Sequence, residues 1–346
     1  MIAVDRNERQ SAKLLVVGAD GGMRHLPRDA LASLFDPGDL VIANDAATLP
    51  ACLKGVHCAN GEPIEVRLAA WVSAGDPTRF VAVAFGAGDH RTRTEDRLPP
   101  PPLSSGDRLA FGALEAVVER PLDPPCLFRL RFLGDRATVL AGLARHGAPI
   151  QYAHVPEPLA LWDVWTRIAA DPIAFEPPSA GFALDWRTLV IWRRRGVGFA
   201  TLTHAAGISS TGSPALDAKL PFDEPFRIPE RTATAIARAK WNGGRIVAIG
   251  TTVVRALESA ATADGGVSAG GEIARGRIGG GTPLRVVDAI LTGVHQPGES
   301  HFELLRAFAP DELIERMAAA LEERCYRRHE FGDSVLVERA HAAEFA

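Results

Sequence analysis

The chain has 346 residues, a formal net charge of −4, a pI near 6.2 and 47% hydrophobic residues, a composition typical of globular proteins. This charge excludes a protein that coats DNA, but it allows a local basic patch that grips a few RNA phosphates. The length predicts two domains, or one domain with a large insertion. No apolar run approaches the roughly 20 residues of a membrane span, and Met1–Lys13 lacks the apolar core of a signal peptide. We therefore expect a cytoplasmic protein without a membrane partner.

The four cysteines, Cys52, Cys58, Cys126 and Cys325, form neither a CxxC pair nor a disulfide-rich pattern. Cys52, His57 and Cys58 carry atoms that can ligate a metal, but a second ligand pair at suitable spacing is missing from the sequence. We therefore expect reduced, structural cysteines and no metal site.

Two short apolar runs in the first 60 residues, Leu14–Val17 and Leu40–Ala43, are typical of strands. From Glu62 to Arg120 the pattern changes to closely spaced β segments separated by turn signals, which is typical of a small antiparallel barrel or sandwich. The strands predicted in this part of the chain are Ile64–Val72, Phe80–Phe85, Arg108–Phe111, Leu114–Glu119 and, after Pro124-Pro125, Leu127–Phe132. A predicted helix, Ala137–Arg145, leads back to the main domain.

From about Ile150 helices and strands alternate, which predicts a largely parallel or mixed sheet. The predicted helices are Asp185–Arg195, Glu230–Trp241, Ser300–Phe308 and Asp311–Arg324. The predicted strands are Val197–Thr203 and Ile246–Ile249, whereas Leu284–Val294 fits a strand or a helix. The expected fold class is α/β, with a mixed-sheet main domain at 1–60 and 150–346 and an inserted, antiparallel β-barrel-like domain at 61–149.

Polar residues follow several of the predicted strands. Asn44 and Asp45 follow the second strand, His204 follows the strand that begins at residue 197, and Gly250–Thr252 follows the next. His295 also follows a strand, provided that the apolar run before it is extended. In open α/β sheets ligands bind outside the carboxyl ends of the strands, so these groups can converge on one pocket if the strands are parallel.

The segment around Gly250 has the pattern of a buried strand, a tight turn and a helix start. A glycine lets a ligand approach the backbone, and a helix start favours an anionic group. Thr251 or Thr252 can cap the helix, which contributes about 1 kcal/mol. Arg255 and Glu258 then share one helix face. An ordinary strand–turn–helix joint has the same pattern, so the function stays open at this point.

Five segments resemble, in the same order, the S-adenosylmethionine:tRNA ribosyltransferase-isomerases of the queuosine pathway. Gly250–Ser259 resembles the signature Gly-Thr-Thr-Ser-Val-Arg-Thr-Leu-Glu-Ser, and Arg285–Pro297 resembles Arg-Val-Val-Asp-Ala-Leu-Ile-Thr-Asn-Phe-His-Leu-Pro. Pro37–Asp45 is similar to Pro-Gly-Asp-Leu-Leu-Val-Phe-Asn-Asp. Pro178–Phe182 matches part of Pro-Thr-Ala-Gly-Leu-His-Phe, and Phe331–Asp333 resembles Tyr-Gly-Asp. This order spans nearly the whole chain and indicates a shared fold.

The resemblance implies a mixed α/β main domain with an inserted small β-barrel. It also implies that S-adenosylmethionine is the co-substrate and that no metal takes part. The implied reaction moves the ribosyl moiety of S-adenosylmethionine onto the 7-aminomethyl-7-deazaguanine of a tRNA and isomerises it to epoxyqueuosine. Adenine and methionine leave. The implied partners are tRNA and a small-molecule nucleoside, and not DNA.

This chemistry needs proton transfer. A sulfonium acidifies its neighbouring C5′ protons, so a base can start the reaction, and an acid helps adenine to leave; histidine suits both tasks near neutral pH. The candidate catalytic residues are His295, His204 and Asp45, with the assignment of acid and base open. Asp45 would orient a histidine or a ribose hydroxyl, and Arg255 would pair with the carboxylate of Glu258 or of the methionine moiety. The candidate substrate-binding residues are Asn44, Gly181, Gly250, Thr251, Thr252 and Arg255.

Several polar positions of the family pattern are replaced. Its Asn-Asp-Thr-Arg ends here in Ala46-Ala47, its Gly-Leu-His-Phe has Ala183 in place of histidine, and its Met-His-Ser-Glu becomes Leu220–Asp223. His204 is shifted by one residue. Two alternatives therefore stay open: a divergent paralogue that acts on S-adenosylmethionine or another nucleoside with a small-molecule acceptor, and a non-catalytic nucleoside- or RNA-binding protein. Phosphate contacts would then come from Arg193, Arg194, Arg195, Arg324, Arg327 and Arg328.

Overall fold

The computed structural model describes residues 12–73, 76–123, 126–329 and 331–340. Most of the polar N-terminal segment discussed above, and the turn at Pro124-Pro125, lie outside these ranges. The strands are β1 (Lys13–Val17), β2 (Met23–Pro27), β3 (Leu40–Asn44), β4 (Ala46–Thr48), β5 (Cys52–His57), β6 (Pro63–Trp71), β7 (Arg79–Phe85), β8 (Arg108–Phe111), β9 (Leu114–Pro121), β10 (Leu127–Phe132), β11 (Gly147–Ala148), β12 (Asp171–Ala174), β13 (Gly198–His204), β14 (Glu224–Ile228), β15 (Ile246–Ile249), β16 (Gly270–Ala274), β17 (Ala289–Gly293) and β18 (Ser334–Glu338). The α-helices are α1 (Arg136–His146), α2 (Leu161–Val164), α3 (Trp186–Arg195), α4 (Pro214–Asp217), α5 (Glu230–Trp241), α6 (Thr251–Ser259), α7 (Ser300–Leu304) and α8 (Asp311–Glu323).

The main sheet has the strand order β16-β14-β13-β3-β15-β17-β18-β1-β2. Its centre is parallel: β13 pairs with β3, β3 with β15 and β15 with β17, all in the same direction. Beyond this centre the sheet is mixed: β14 runs antiparallel to β13, β18 to β17 and β2 to β1, whereas β18 and β1 are parallel to each other. The mixed α/β architecture predicted from the sequence is therefore confirmed.

The central strands are buried on both faces, as parallel strands covered by helices must be. Along β3, Ile42 faces a core that includes Ile236 of α5 and Val254 of α6. The neighbouring Val41 faces the opposite core, which contains Trp192 of α3. Side chains alternate between the faces of a strand, so one short apolar run supplies both cores. None of the helices in the described ranges is long and apolar enough to span a bilayer.

The second sheet has the strand order β11-β5-β6-β7-β10-β9-β8, and the pairing of β5 with β8 closes its last six strands into a barrel. Closure brings Val56 opposite Ala110, and a Cβ on the neighbouring Gly55 would overlap the Ala110 carbonyl. The predicted antiparallel barrel is confirmed. Its first strand, Cys52–His57, was not predicted and lies outside the proposed boundaries 61–149, so a division based on sheet membership begins at Cys52.

Local sequence signals place α3 as predicted. Asp185 is its N-cap and accepts a hydrogen bond from the Thr188 N–H at 2.6 Å, while Gly196 ends the helix with φ of 79°. The run 284–294, which fitted either kind of element, contains the strand β17. The helix predicted from Ser300 is shorter than expected and continues as a 3-10 turn at Leu305–Ala307.

Candidate functional site

The carboxyl ends of β13, β3, β15 and β17 meet at one edge of the main sheet, which we call the carboxyl edge. The register places Asn44 beside Leu202 of β13, and it places Ile249 beside both Ala43 of β3 and Leu291 of β17. The residues that follow these strands are therefore neighbours in space. The parallel arrangement on which the predicted convergence depended is present.

Asn44 links three segments of this edge. Its side-chain nitrogen donates to the His204 carbonyl at 2.9 Å and to Thr252 Oγ1 at 3.3 Å. Its side-chain oxygen accepts from the backbone N–H groups of His204 and Ala46, both at 3.0 Å. The side chain is buried, with 1% of the residue exposed. Because every polar atom of its amide already has a protein partner, Asn44 builds the edge and holds Thr252 in place.

Asp45 is half-buried and presents one carboxylate oxygen that the protein does not use. Oδ1 accepts a hydrogen bond from Thr203 Oγ1 at 2.7 Å, which fixes the carboxylate. Within the part of the chain that the structure describes, Oδ2 makes no hydrogen bond. A ligand hydroxyl could occupy this position.

The turn before α6 differs from the prediction in one respect. Gly250 itself is the N-cap, with φ of 93°, and neither Thr251 nor Thr252 caps the helix through its side chain. The reason is positional, since both threonines are already helical residues, and an N-cap must precede the helix. The Gly250 N–H donates to the Leu291 carbonyl at 2.7 Å. Among the described residues the N–H groups of both threonines lack acceptors, so the helix start keeps two free donors at this edge.

His295 is a partly accessible imidazole at the carboxyl edge, with a side chain 19% exposed. Its Nε2 lies 3.2 Å from Thr292 Oγ1, and its Nδ1 lies 3.5 Å from Glu299 Oε2. The ring also stacks on His301, with 4.7 Å between the centroids. Burial raises the pKa of Glu299, but hydrogen bonds from His295 and from the Gln296 N–H outweigh it and lower that pKa overall. Glu299 is therefore an anion that orients the His295 ring.

Arg255 points into the protein and pairs with Glu224 of β14. Its Nη2 also donates to the carbonyls of Phe222, Ala274 and Gly276 at 3.1–3.2 Å. Only 5% of Arg255 is exposed, and both of its terminal nitrogens are bonded within the protein. The sequence predicts that Arg255 can pair with the methionine carboxylate. This environment leaves the guanidinium little freedom to do so.

The alternative partner, Glu258, is also engaged elsewhere. It accepts hydrogen bonds at 2.7–3.0 Å from the backbone N–H groups of Arg285, Val286 and Val287. The predicted pair of Arg255 with Glu258 is therefore wrong. Three-residue spacing allows such a contact. Arg255 instead pairs with the buried carboxylate of Glu224, and Glu258 accepts from three consecutive backbone N–H groups.

His204 lies beneath this ion pair and is completely buried. Its Nε2 lies 3.4 Å from Glu224 Oε2, and its ring meets Phe226 edge-on at 6.2 Å. Burial and the positive charge of Arg255 lower the pKa of His204 from 6.5 to about 3. A neutral, enclosed imidazole of this kind cannot donate a proton at neutral pH and is a weak base. The surroundings therefore do not fit the predicted acid or base role of His204.

We expect His204 to make the fold sensitive to acid. Its pKa is lower in the folded chain than in the unfolded chain, so between pH 6.5 and about 3 the unfolded state binds the extra proton. The free energy of unfolding then falls with decreasing pH, by at most about 1.4 kcal/mol per pH unit from this residue. Urea unfolding of the parent and of His204→Asn at pH 7, 6, 5 and 4 measures the difference. Equal slopes in both proteins would contradict this expectation, and His90→Asn is the matched control.

Gly181 belongs to a 3-10 turn, Ser179–Ala183, that covers the start of α6. A Cβ on Gly250 would lie 3.3 Å from Ala180 Cβ, so the two segments are in contact. Gly181 is itself buried, and a Cβ there would come within 3.0 Å of Thr166 Cγ2. The glycine thus favours close packing of this turn against Thr166.

Sequence reasoning missed three carboxylates or hydroxyls of this site: Thr203, Glu224 and Glu299. Glu224 had a detectable signal, because it directly follows Asp223, which was matched to a glutamate of the family pattern. If the match to the family pattern is shifted by one residue, as it is at His204, Glu224 takes the position of that glutamate. The cysteines in the described ranges are free, and no group of three His, Cys, Asp or Glu residues there could hold a metal ion.

Fold and site together define an α/β protein with an inserted barrel and a polar site at the carboxyl edge of parallel strands. A family model described as "Queuosine biosynthesis protein" matches residues 2–337. The chain belongs to this family.

Curated relatives match over nearly their whole length. One from Citrifermentans bemidjiense is 32% identical, with 96% of this chain and 94% of the relative covered. Another from Sorangium cellulosum is 34% identical, with 95% and 93% covered. Both are named S-adenosylmethionine:tRNA ribosyltransferase-isomerase. The crystal structure of S-adenosylmethionine tRNA ribosyltransferase from Thermotoga maritima shares the fold, with a TM-score of 0.51 at 21% identity over 97% of this chain and 95% of that one.

Proposed function

We propose that this chain is an S-adenosylmethionine:tRNA ribosyltransferase-isomerase. It transfers the ribosyl moiety of S-adenosylmethionine onto the 7-aminomethyl-7-deazaguanine of a tRNA and isomerises it to epoxyqueuosine, and adenine and methionine are released. One observation carries the proposal: the segments Pro37–Asp45, Gly250–Ser259 and Arg285–Pro297 meet at a single sheet edge. Full-length relatives that bear this enzyme name support it.

His295 is the residue to which we assign proton transfer. It is accessible, while Thr292 and Glu299 hold its ring in one orientation, which is what a general base or acid needs. It would remove the acidified C5′ proton of the sulfonium or protonate the departing adenine. The unused Oδ2 of Asp45 would accept a hydrogen bond from a ribose hydroxyl.

The start of α6 is the proposed anchor for the methionine carboxylate. The free N–H groups of Thr251 and Thr252 and the positive end of the helix favour an anion there, and Gly250 has no side chain to obstruct it. Asn44, His204 and Arg255 would act indirectly, by holding the threonine turn and β14 in place. Gly181 would contribute backbone that closes the site.

The remaining parts of the proposal follow from this reaction. S-adenosylmethionine is the co-substrate, the chemistry needs no metal, and the macromolecular partner is tRNA. A tRNA substrate places the protein in the cytoplasm, without DNA or a membrane as partner.

Adenine release tests the proposal. The protein is incubated with S-adenosylmethionine, with and without a tRNA that carries the precursor base, and adenine is quantified by chromatography. Release that requires this tRNA is the expected result. Release that is independent of RNA would favour the divergent enzyme with a small-molecule acceptor, which the replacements at Ala46, Ala47 and Ala183 allow. Binding of S-adenosylmethionine without any release would favour a non-catalytic protein.

A further inference from the structure

A wide groove of about 780 Å³ lies beside the candidate site on the same edge of the main sheet. Gly293, at the carboxyl end of β17, pairs with Ser334 of β18, and Ser334 pairs with Leu14 of β1. Lys13 in turn pairs with Pro27, where β2 ends. The ends of β17, β18, β1 and β2 therefore lie side by side along this edge, from the site to the groove. Neighbouring strands of a sheet are about 4.8 Å apart. One or two strands lie between β17 and the strands of the groove, so two or three strand spacings, about 10–15 Å, separate the site from the groove.

The groove is basic although the chain as a whole carries a net charge of −4. Five cationic side chains line it: Lys13, Arg28, Arg167, Arg187 and Arg324. Only two carboxylates do so, and one of them, Asp185, is committed to capping α3. A positive groove on an acidic protein attracts a polyanion locally.

Three of these arginines are exposed and free. The guanidinium groups of Arg167, Arg187 and Arg324 make no ion pair or hydrogen bond within the described ranges. Free guanidinium groups that share a groove are suited to phosphate oxygens, which they bind in a bidentate geometry.

The other two cations are held in place by backbone carbonyls. Lys13 Nζ donates to the carbonyls of Arg324 and Cys325 at 2.6 and 3.0 Å, and Arg28 Nη2 donates to the Gly332 carbonyl. In addition, Arg28 Nε is buried and has no hydrogen-bond partner among the described residues. The groove therefore combines two fixed positive charges with three exposed arginines.

The groove is also continuous with the site. Phe182 and Ala183 line it, and they directly follow Gly181 in the turn that covers the start of α6. A nucleic acid chain lying in the groove would therefore reach the carboxyl edge. That the bound chain is RNA rests on the proposed function. The charge of the groove and its continuity with the site do not depend on that function.

We propose that this groove binds the tRNA backbone next to the modified nucleotide, with Arg167, Arg187 and Arg324 contacting phosphates. Such contacts fix the position of the RNA but do not read its sequence. They also make binding depend on salt, because each neutralised phosphate releases counterions.

The test compares two triple variants. The groove variant is Arg167→Ala/Arg187→Ala/Arg324→Ala, and the control is Arg231→Ala/Arg238→Ala/Arg316→Ala, which removes three exposed arginines outside the groove. The dissociation constant for a tRNA transcript is measured at 50, 100 and 200 mM salt. We expect the groove variant to bind roughly tenfold or more weakly at 100 mM salt, with a salt slope shallower by about 2, while the control stays near the parent. Thermal unfolding of all three proteins checks that the fold is kept.

Activity separates this proposal from the proposed function. In the adenine assay the groove variant should show a raised KM for tRNA and an unchanged kcat at saturating tRNA. Normal tRNA binding and KM in the groove variant, or an equal loss in the control, would overturn the groove proposal alone. Competition for the groove by polyglutamate as strong as by tRNA would also overturn it, in favour of an acidic protein partner. Parent protein that binds tRNA through the groove but never releases adenine would instead overturn the proposed function.

Discussion

His295→Ala lowers tRNA-dependent adenine release by about 10²- to 10⁴-fold, the range expected when a general acid or base is removed. The loss falls mainly on kcat, because the residue is assigned to proton transfer and not to binding of the RNA. The side chain is partly exposed and has no role in the core, so the variant should fold like the parent. Steady-state kinetics with varied tRNA, together with circular dichroism, measure both effects.

His90→Ala is the control for this substitution. His90 lies in the barrel domain, where its Nε2 contacts the Pro156 carbonyl at 3.1 Å, and its loss should leave kcat unchanged. Glu299→Gln provides an intermediate case, because it keeps the shape of the carboxyl group but removes the anion that orients the ring. A kcat within threefold of the parent in His295→Ala would remove this residue from the mechanism.

Local patterns in the sequence were sufficient for the elements that form the carboxyl edge. The strand Ile246–Ile249 and the cap of α3 at Asp185 depend on neighbouring residues only, and both occur where predicted. The meeting of Asn44, Gly250 and His295 needed one further condition, parallel strands, which the alternation of helices and strands indicated. Local sequence patterns and the order of the elements therefore suffice to predict this edge.

Contacts between distant segments could not be predicted in the same way. The partner of Arg255 is Glu224, which reaches it through the antiparallel pairing of β13 with β14, a contact between residues 31 positions apart. Helical spacing pointed instead to Glu258. Likewise, the burial that makes His204 an unsuitable acid depends on Phe226 and on Arg255, and no local pattern reveals it.

The residues of the family signatures fall into two groups that differ in burial. Asp45, Thr252 and His295 are partly accessible at the edge, whereas Asn44, His204 and Arg255 are buried behind it. The first group can touch a ligand, and the second holds the first in position. Substitutions in the second group should therefore act first on stability.

Arg255→Met should reduce the free energy of unfolding by about 3–5 kcal/mol, the usual cost of breaking a buried ion pair from one side. It leaves the Glu224 carboxylate buried with the Gly207 N–H, at 2.6 Å, as its main remaining partner. Arg255→Lys should recover little, because an ammonium cannot reach Glu224 and three separate carbonyls at once. Urea unfolding of the two variants and of the parent measures these changes.

A double substitution distinguishes a lost ion pair from a general packing defect. Arg255→Met/Glu224→Leu removes both charges, and it should be more stable than Arg255→Met alone because no unpaired carboxylate remains. The exposed pair of Arg79 with Glu119 supplies the control, and Arg79→Met should change stability far less. Loss of Arg255 also removes one of the two causes that hold the pKa of His204 low, so the single variant should lose less stability than the parent between pH 6.5 and 4. A double variant less stable than Arg255→Met, together with an unchanged acid profile, would show that the guanidinium matters for its volume and not for its charge.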